Sequence, residues 1–364
     1  GRCGSISDPI LVPTAVQTLT LRRPDDWHSH LRDGDVLEDT CRDMARYMGR
    51  AIVMPNLVPP VTTARLAAEY RQRILRAMMG IERSFSPLMT LYLTDQTSEA
   101  DIREAAKIDW LAAVKLYPAG ATTNSASGVQ SLEALYPVLA VMEEVDLPLL
   151  VHGEVTDADV DIFDREAVFI ERYLEPISER FPALRIVMEH ITTEQAAQFV
   201  ASKGANVGAT VTPQHLLLNR NDMLVGGIRP HYYCLPILKR RRHQEALRSA
   251  VTSDDRSFFL GTDSAPHERG AKESACGCAG VYSAHASLEL YAEVFDDMQA
   301  LDKLEDFASL RGPAFYKRPA NEDRLTLRRV EWSVPDTMRF GEGDVVPFRA
   351  GAAVHWQVVD ADAG

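Results

Sequence analysis

Short apolar runs alternate with helically spaced segments between about residues 26 and 300. Eight runs read as β-strands by their length and apolar content. They are DWHSHLRD (26–33), AIVMPN (51–56), PLMTLYL (87–93), AAVKLYP (112–118), PLLVHGE (148–154), RIVMEHI (185–191), ANVGATVTP (205–213) and FFLGTDSAP (258–266). Between them, residues 36–49, 62–79, 98–107, 130–145, 158–180, 193–203 and 240–253 carry helical spacing. Such a rhythm over about 250 residues predicts a (β/α)8 barrel, an α/β fold of the TIM type. A doubly wound open sheet is the competing architecture, but it would gather its ligands at one switch crevice. No internal repeat, low-complexity tract or linker interrupts the chain, so residues 15–364 read as one barrel domain with a C-terminal closing segment. In that segment EDFASLRGPAFY suggests a helix and VPFRAGAAVHWQVV a short closing strand. Residues 1–14, GRCGSISDPILVPT, read as a poorly ordered tail without a functional signal.

Candidate metal ligands stand at the downstream ends of five of these runs: His28 and His30, Lys115, His152, His190, and Asp263. A barrel brings such ends together at one mouth, its C-terminal face. On a strand, residues i and i+2 share a face, so His28 and His30 point the same way, with Arg32 two residues further on. One strand-end histidine is ordinarily a hydrogen-bonded core residue. Four histidines and a carboxylate exceed the ligand set of one tetrahedral zinc. They fit two metals, or one metal with the remaining histidines in acid–base roles. Lys115 lies among apolar neighbours in AAVKLYP, where burial favours the neutral amine. A neutral amine can take up carbon dioxide and become an anionic, bidentate carbamate able to bridge two metals. The plainer alternative is a lysine that reaches solvent or pairs with an acid. Asp263 can bind a metal and accept a proton from water, or simply cap the next segment. His267 stands beyond that strand end, where it can face a substrate. Residues 119–128, AGATTNSASG, are small and polar; they read as an ordinary βα loop or as a lid over the site. Residues 267–281, HERGAKESACGCAGV, look too irregular for a helix.

A formal net charge of −13 argues against a general nucleic-acid binder and requires local cations for any anionic substrate. No apolar stretch approaches the roughly 18 residues of a membrane span, and the N-terminal residues lack the features of a secretory signal. Five cysteines (Cys3, Cys41, Cys234, Cys276 and Cys278) are too few for a disulfide framework and suit a reducing, cytoplasmic setting. Cys276 and Cys278 have no second pair beside them and read as incidental thiols in a Gly-rich loop. The basic run LKRRRH (238–243) reads as a solvated helical face. His215 carries no derivable role, and His231, His243, His285 and His355 read as surface or packing residues.

With these residues in place, the chain resembles the dihydroorotases of the amidohydrolase superfamily, in their shorter bacterial class II form. The resemblance runs from about residue 21 to the C-terminus on RRPDDWHSHLRDG, GRAIVMPNLVPPVTT, KLYPAGATTNS, PLLVHGEVTDADVDIFDREA, EHITT, TPQHLLLNRNDMLVGGIRPHYYCLPILK and GTDSAPHERGAKESACGCAG. It implies zinc-dependent, reversible cyclisation of N-carbamoyl-L-aspartate to L-dihydroorotate. It further implies one zinc on His28, His30 and Asp263 and a second on His152 and His190, bridged by carboxylated Lys115 and a hydroxide. Asp263 would be the catalytic proton carrier. Arg32, Asn56 and His267 would hold the substrate carboxylate. His30 and His152 would also touch substrate, the backbone of Leu235 and Ala279 would meet the ring amide, and Thr122 and Thr123 would sit on the lid. The resemblance also implies a small-molecule substrate and a homodimer. Ser29 departs from the larger apolar residue expected between the two histidines, on the side facing away from the metals. Another cyclic amidase of the hydantoinase or dihydropyrimidinase kind, a one-zinc deaminase and a non-catalytic barrel relative are the alternatives.

Overall fold

The computed structural model describes residues 17–359; the expected N-terminal tail lies outside them. After β1 (Thr18–Arg22), eight strands follow one another round a parallel sheet in sequence order. They are β2 (Asp26–Ser29), β3 (Arg50–Val53), β4 (Ser86–Tyr92), β5 (Leu111–Leu116), β6 (Leu149–Val151), β7 (Ile186–Met188), β8 (Val207–Val211) and β9 (Phe258–Leu260). The ring closes just past the end of β9. Ser264 bridges Ser29 in parallel, the Asp263 N–H donates to the His28 carbonyl at 2.8 Å, and the His30 N–H donates to the Ser264 carbonyl at 2.9 Å. This is the (β/α)8 barrel that the alternation of runs predicts.

The strands read as continuous apolar runs because both of their faces are buried. Leu150, Val187 and Phe259 point into the barrel with Trp27, Ile52 and Leu88. Their neighbours Leu149, Val151, Ile186, Met188, Phe258 and Leu260 face outward into the larger core beneath the helices. Tyr316 stacks on Trp27 with ring centroids 4.6 Å apart and closes the barrel floor. The helix Arg311–Phe315 approaches so closely that a Cβ on Gly312 would fall 1.9 Å from Trp27 Nε1. Arg311, fully buried, pairs with Asp306 and donates to the carbonyls of Val251, Ser253 and Phe258, tying this segment to the start of β9.

Helices occupy the expected intervals, among them Leu37–Ala45, Ala64–Ala77, Glu99–Ala106, Tyr136–Val145, Glu194–Ser202 and Arg241–Val251. Ser98 and Asp101 cap the third of these reciprocally, at 3.1 and 3.0 Å. The expected helix over 158–180 begins only at Arg165 and contains a wider π-type turn at Ile170–Leu174. Two expectations need correction. Residues 267–281 do include one helical turn, Arg269–Lys272, because the Glu268 carbonyl accepts from both Ala271 and Lys272. The sequence pattern also assigns no element to Ser287–Asp297, which is an eleven-residue helix. Eight of its eleven residues are buried, and its outward polar stripe is confined to Glu293, Asp296 and Asp297 near the C-terminal end. Outside the barrel, β1, β10 (Arg324–Arg328) and Gln357–Val359 form a three-stranded antiparallel sheet. The last of these is the expected closing strand, whereas the first, whose Thr–Leu alternation carries the period of a strand, is not among the expected elements.

Arg311→Met keeps the apolar volume and removes the guanidinium, leaving the carbonyls of Val251, Ser253 and Phe258 without this donor and Asp306 with Arg256 alone. We expect a loss of roughly 3 kcal/mol in urea denaturation, with the strand-end site of the folded fraction unchanged. A denaturation midpoint equal to that of the parent would contradict the clamp.

Candidate active site

The barrel brings together every metal-ligand residue expected from the sequence. Strands β6, β7 and β9 end at Val151, Met188 and Leu260, and His152, His190 and Asp263 stand one to three residues beyond, at the mouth. His28 and Lys115 are on β2 and β5, and His30 follows β2 by one residue. His28 Nε2 and His30 Nε2 approach Asp263 Oδ1 at 3.2 and 3.0 Å. These three residues form a group that can hold a metal ion. The rings continue as a chain, with His28 to His190 at 5.1 Å and His190 to His152 at 4.7 Å between centroids. Three residues round the mouth, Arg32, His190 and Asp263, hold positive φ angles of 60°, 37° and 48°. Such left-handed backbone costs about 1–3 kcal/mol per residue and is concentrated at functional sites.

The partner of each histidine decides which nitrogen faces the centre. His28 Nδ1 donates to Glu189 Oε2 at 2.7 Å, and Thr210 Oγ1 donates to the same oxygen at 2.6 Å. His30 Nδ1 donates to Asn56 Oδ1 at 2.9 Å. His152 Nε2 donates to Glu154 Oε1 at 2.7 Å. The free nitrogens are therefore Nε2 of His28 and His30 and Nδ1 of His152. The His28 Nε2, His190 Nδ1 and Lys115 Nζ atoms are buried without a hydrogen-bond partner among the described residues.

Burial dominates the electrostatics. It lowers the Lys115 pKa to about 8, against the opposing pull of Glu189 and Asp263. It lowers His30 to about 4 and His190 well below its ordinary value. Burial also works against a charged His28, as does Lys115, yet the Glu189 and Asp263 carboxylates raise it on balance. Burial alone would raise Asp263; His28 and His30 instead hold it well below the usual carboxylate range, so it is ionised at neutral pH.

The remaining candidates surround this centre. Arg32, Asn56, Thr122, Thr123, Leu235 and Ala279 line the same cavity. Asn56 spends its oxygen on His30, and its Nδ2 donates to the Thr123 carbonyl at 3.1 Å. Thr123 Oγ1 donates to the Ala279 carbonyl at 3.2 Å, so the 119–128 loop is pinned across the mouth. The space beneath is about 20 Å³, enough for roughly one water. Arg32 Nε donates to the Pro266 carbonyl at 3.0 Å. Its Nη2 lies 3.2 Å from His267 Nε2, but that nitrogen is also 3.0 Å from the Ala279 carbonyl. Arginine only donates, so His267 cannot satisfy both contacts at once. No described carboxylate pairs with Arg32, leaving a largely enclosed cation at the cavity wall. Burial holds His267 neutral, with its pKa lowered to about 3.

Sequence reasoning missed Glu154, Glu189, Thr210 and Tyr117. The first two lie beside His152 and His190 in HGE and MEH, where a carboxylate next to a histidine is a usable signal. Tyr117 stacks on Tyr92 at 4.9 Å and its ring lies 4.8 Å from Lys115 Nζ. His215 is buried and bonded to Thr212 and the Pro236 carbonyl, His243 caps the Glu194 N–H, and His285 packs against the Phe348 carbonyl, so these serve packing. The larger groove of about 640 Å³ between Glu38, Arg46 and Met79 is open and lies away from the strand ends.

Residues 10–325 match the amidohydrolase family. A dihydroorotase of Pseudomonas aeruginosa is 62% identical over 345 residues, covering 95% of this chain and 99% of the relative. One from Photobacterium profundum is 60% identical over 342 residues, covering 94% and 99%. The crystal structure of a dihydroorotase from Campylobacter jejuni superposes with a TM-score of 0.87 at 37% identity, over 96% of this chain and 99% of that one. The chain belongs to the amidohydrolase family, whose members the fold and the strand-end donors define. Within it, the chain groups with the dihydroorotases, hydrolases acting on cyclic amides, and this is favoured over another cyclic amidase.

Gly261 lets β9 pass close to the site: a Cβ there would lie 2.6 Å from the Thr210 side chain and 3.1 Å from His28 Cβ. Gly261→Ala is expected to lower stability by about 1–3 kcal/mol through overpacking. Thermal denaturation checks it; an unchanged midpoint would contradict the close approach.

Proposed function

We infer that this chain is a dihydroorotase that interconverts N-carbamoyl-L-aspartate and L-dihydroorotate, a step of de novo pyrimidine synthesis. The observation that carries the substrate class is the enclosed Arg32 guanidinium, without a carboxylate partner, beside the donor cluster and beneath the pinned loop. It is a forked, permanently charged receptor for a carboxylate in a protein whose net charge would otherwise repel one. Both reactants carry such a group.

The donor set fits a pair of metal ions. The orphaned Lys115, His28 and His190 nitrogens are buried polar atoms that bound metals would satisfy. In our reading His28, His30 and Asp263 would hold one zinc and His152 and His190 the other, with a carboxylated Lys115 between them. Bound zinc supplies Lewis acidity that polarises the scissile carbonyl and makes water nucleophilic near neutral pH.

The chain's own groups do the rest. Arg32, with Asn56 and His267 alongside, orients the substrate carboxylate. The backbone of Leu235 and Ala279 aligns the ring amide, and His30 and His152 border the reacting end. Thr122 and Thr123 close the mouth and exclude bulk water. In hydrolysis the Asp263 carboxylate accepts a proton from the attacking water and returns it to the departing ring nitrogen. In synthesis it carries the proton the other way. A single barrel domain over 15–364, a homodimer and a cytoplasmic site of action complete the proposal. They are supported by the resemblance and by the sparse cysteines.

Hydrolysis of dihydroorotate, hydantoin and dihydrouracil, assayed side by side, tests the substrate. Dihydroorotate should be strongly preferred; equal or better turnover of the two rings lacking a carboxylate would overturn the Arg32 argument. Asp263→Ala should remain folded by circular dichroism and lose at least about 10²-fold in kcat. Turnover near that of the parent would refute its role as proton carrier.

A further inference from the structure

Two buried glutamates remain outside the mechanism. Each bonds one ligand histidine through the nitrogen turned away from the centre. Glu189 holds His28, and Glu154 holds His152, both at 2.7 Å and both nearly inaccessible to solvent. These two histidines belong to different metal ions in the reading above, on which this inference rests. We propose that Glu189 and Glu154 are positioning residues that divide the site between them, each controlling the retention of one metal ion.

The physical basis is the tautomer. A neutral imidazole has one N–H and one lone pair, and a carboxylate accepting from the N–H places the lone pair on the opposite nitrogen. The negative charge also makes that lone pair a better donor. For His28 the lone pair falls on Nε2, the nitrogen beside Asp263. For His152 it falls on Nδ1. Carboxylates here therefore do more than fill space, since either ring in the other tautomer would turn an N–H toward the metal.

The two handles are not equally firm. Glu189 Oε2 also accepts from Thr210 Oγ1 at 2.6 Å, and the His190 N–H donates to that same Thr210 oxygen at 2.9 Å. Glu189 is thus braced by the neighbouring strand β8. Each glutamate has one buried oxygen with no hydrogen-bond partner among the described residues, Oε1 of Glu189 and Oε2 of Glu154, so the difference lies in Thr210: no described side chain donates to Glu154 in the same way. The ion associated with His152 should accordingly leave first.

The test is chelator titration of the zinc-loaded enzyme, with retained zinc counted per chain. The parent protein should hold two equivalents and release them in two steps. Glu154→Gln, with nearly the same side-chain volume, should move the first step to about tenfold lower chelator, and Glu154→Ala to about 100-fold lower, with the second step unmoved. Glu189→Gln should move the second step. Circular dichroism of the zinc-free proteins verifies folding, and the Gln and Ala variants serve as independent checks on Glu154. Equal displacement of both steps, or of neither, in the Glu154 variants would overturn the division of labour while leaving the binuclear reading intact. A parent protein retaining fewer than two equivalents would instead overturn the binuclear reading, and this inference with it.

Discussion

A lysine amine enclosed by protein, without a hydrogen-bond partner, is the constraint around which this site is organised. Lys115 lies on a central strand with no exposed surface, and its Nζ finds no acceptor among the described residues. Leaving such a group unpaired costs several kcal/mol as a cation and less as a neutral amine. Burial lowers the pKa to about 8, which increases the neutral fraction while leaving the cation predominant at pH 7. The neighbouring carboxylates, Glu189 and Asp263, favour the cation but do not overcome burial. A lysine with an accessible neutral form and no hydrogen-bond partner, beside imidazole lone pairs, is chemically incomplete, and addition of carbon dioxide to that form with metal binding is the completion we propose.

The geometry that creates this condition is the closure of the barrel. Asp263 meets His28 and His30 only because the segment after β9 bonds back to the end of β2. The same closure forces left-handed backbone at Asp263, a cost that the surrounding hydrogen bonds must offset. At the other end of the strands, Trp27, Tyr316 and Arg311 pack and tie the floor. Stability and chemistry thus occupy opposite ends of one barrel, the usual division in this architecture.

Much of this is legible in the residue pattern. The eight apolar runs locate all eight barrel strands, because a strand buried on both faces leaves an uninterrupted apolar signature. The residues gathered at the mouth are legible because histidine, lysine and aspartate are conspicuous at the ends of such runs. Ser287–Asp297 is less so, since its outward polar positions are confined to Glu293, Asp296 and Asp297 at the end of a mostly apolar segment. Glu154 and Glu189 are not, since their importance lies in bonds to His152 and His28, and the Glu189 partner is 161 residues away in sequence. The pinned state of the 119–128 loop is equally hidden, as it depends on Thr123 meeting the Ala279 carbonyl across the mouth.

The most direct measurement is a crystal structure of the zinc-loaded protein grown in the presence of bicarbonate, with anomalous data collected at the zinc edge. Two anomalous peaks should flank continuous density extending from Lys115 Nζ to a planar carboxylate that touches both. An unmodified amine at Lys115 with one peak or none would contradict the account.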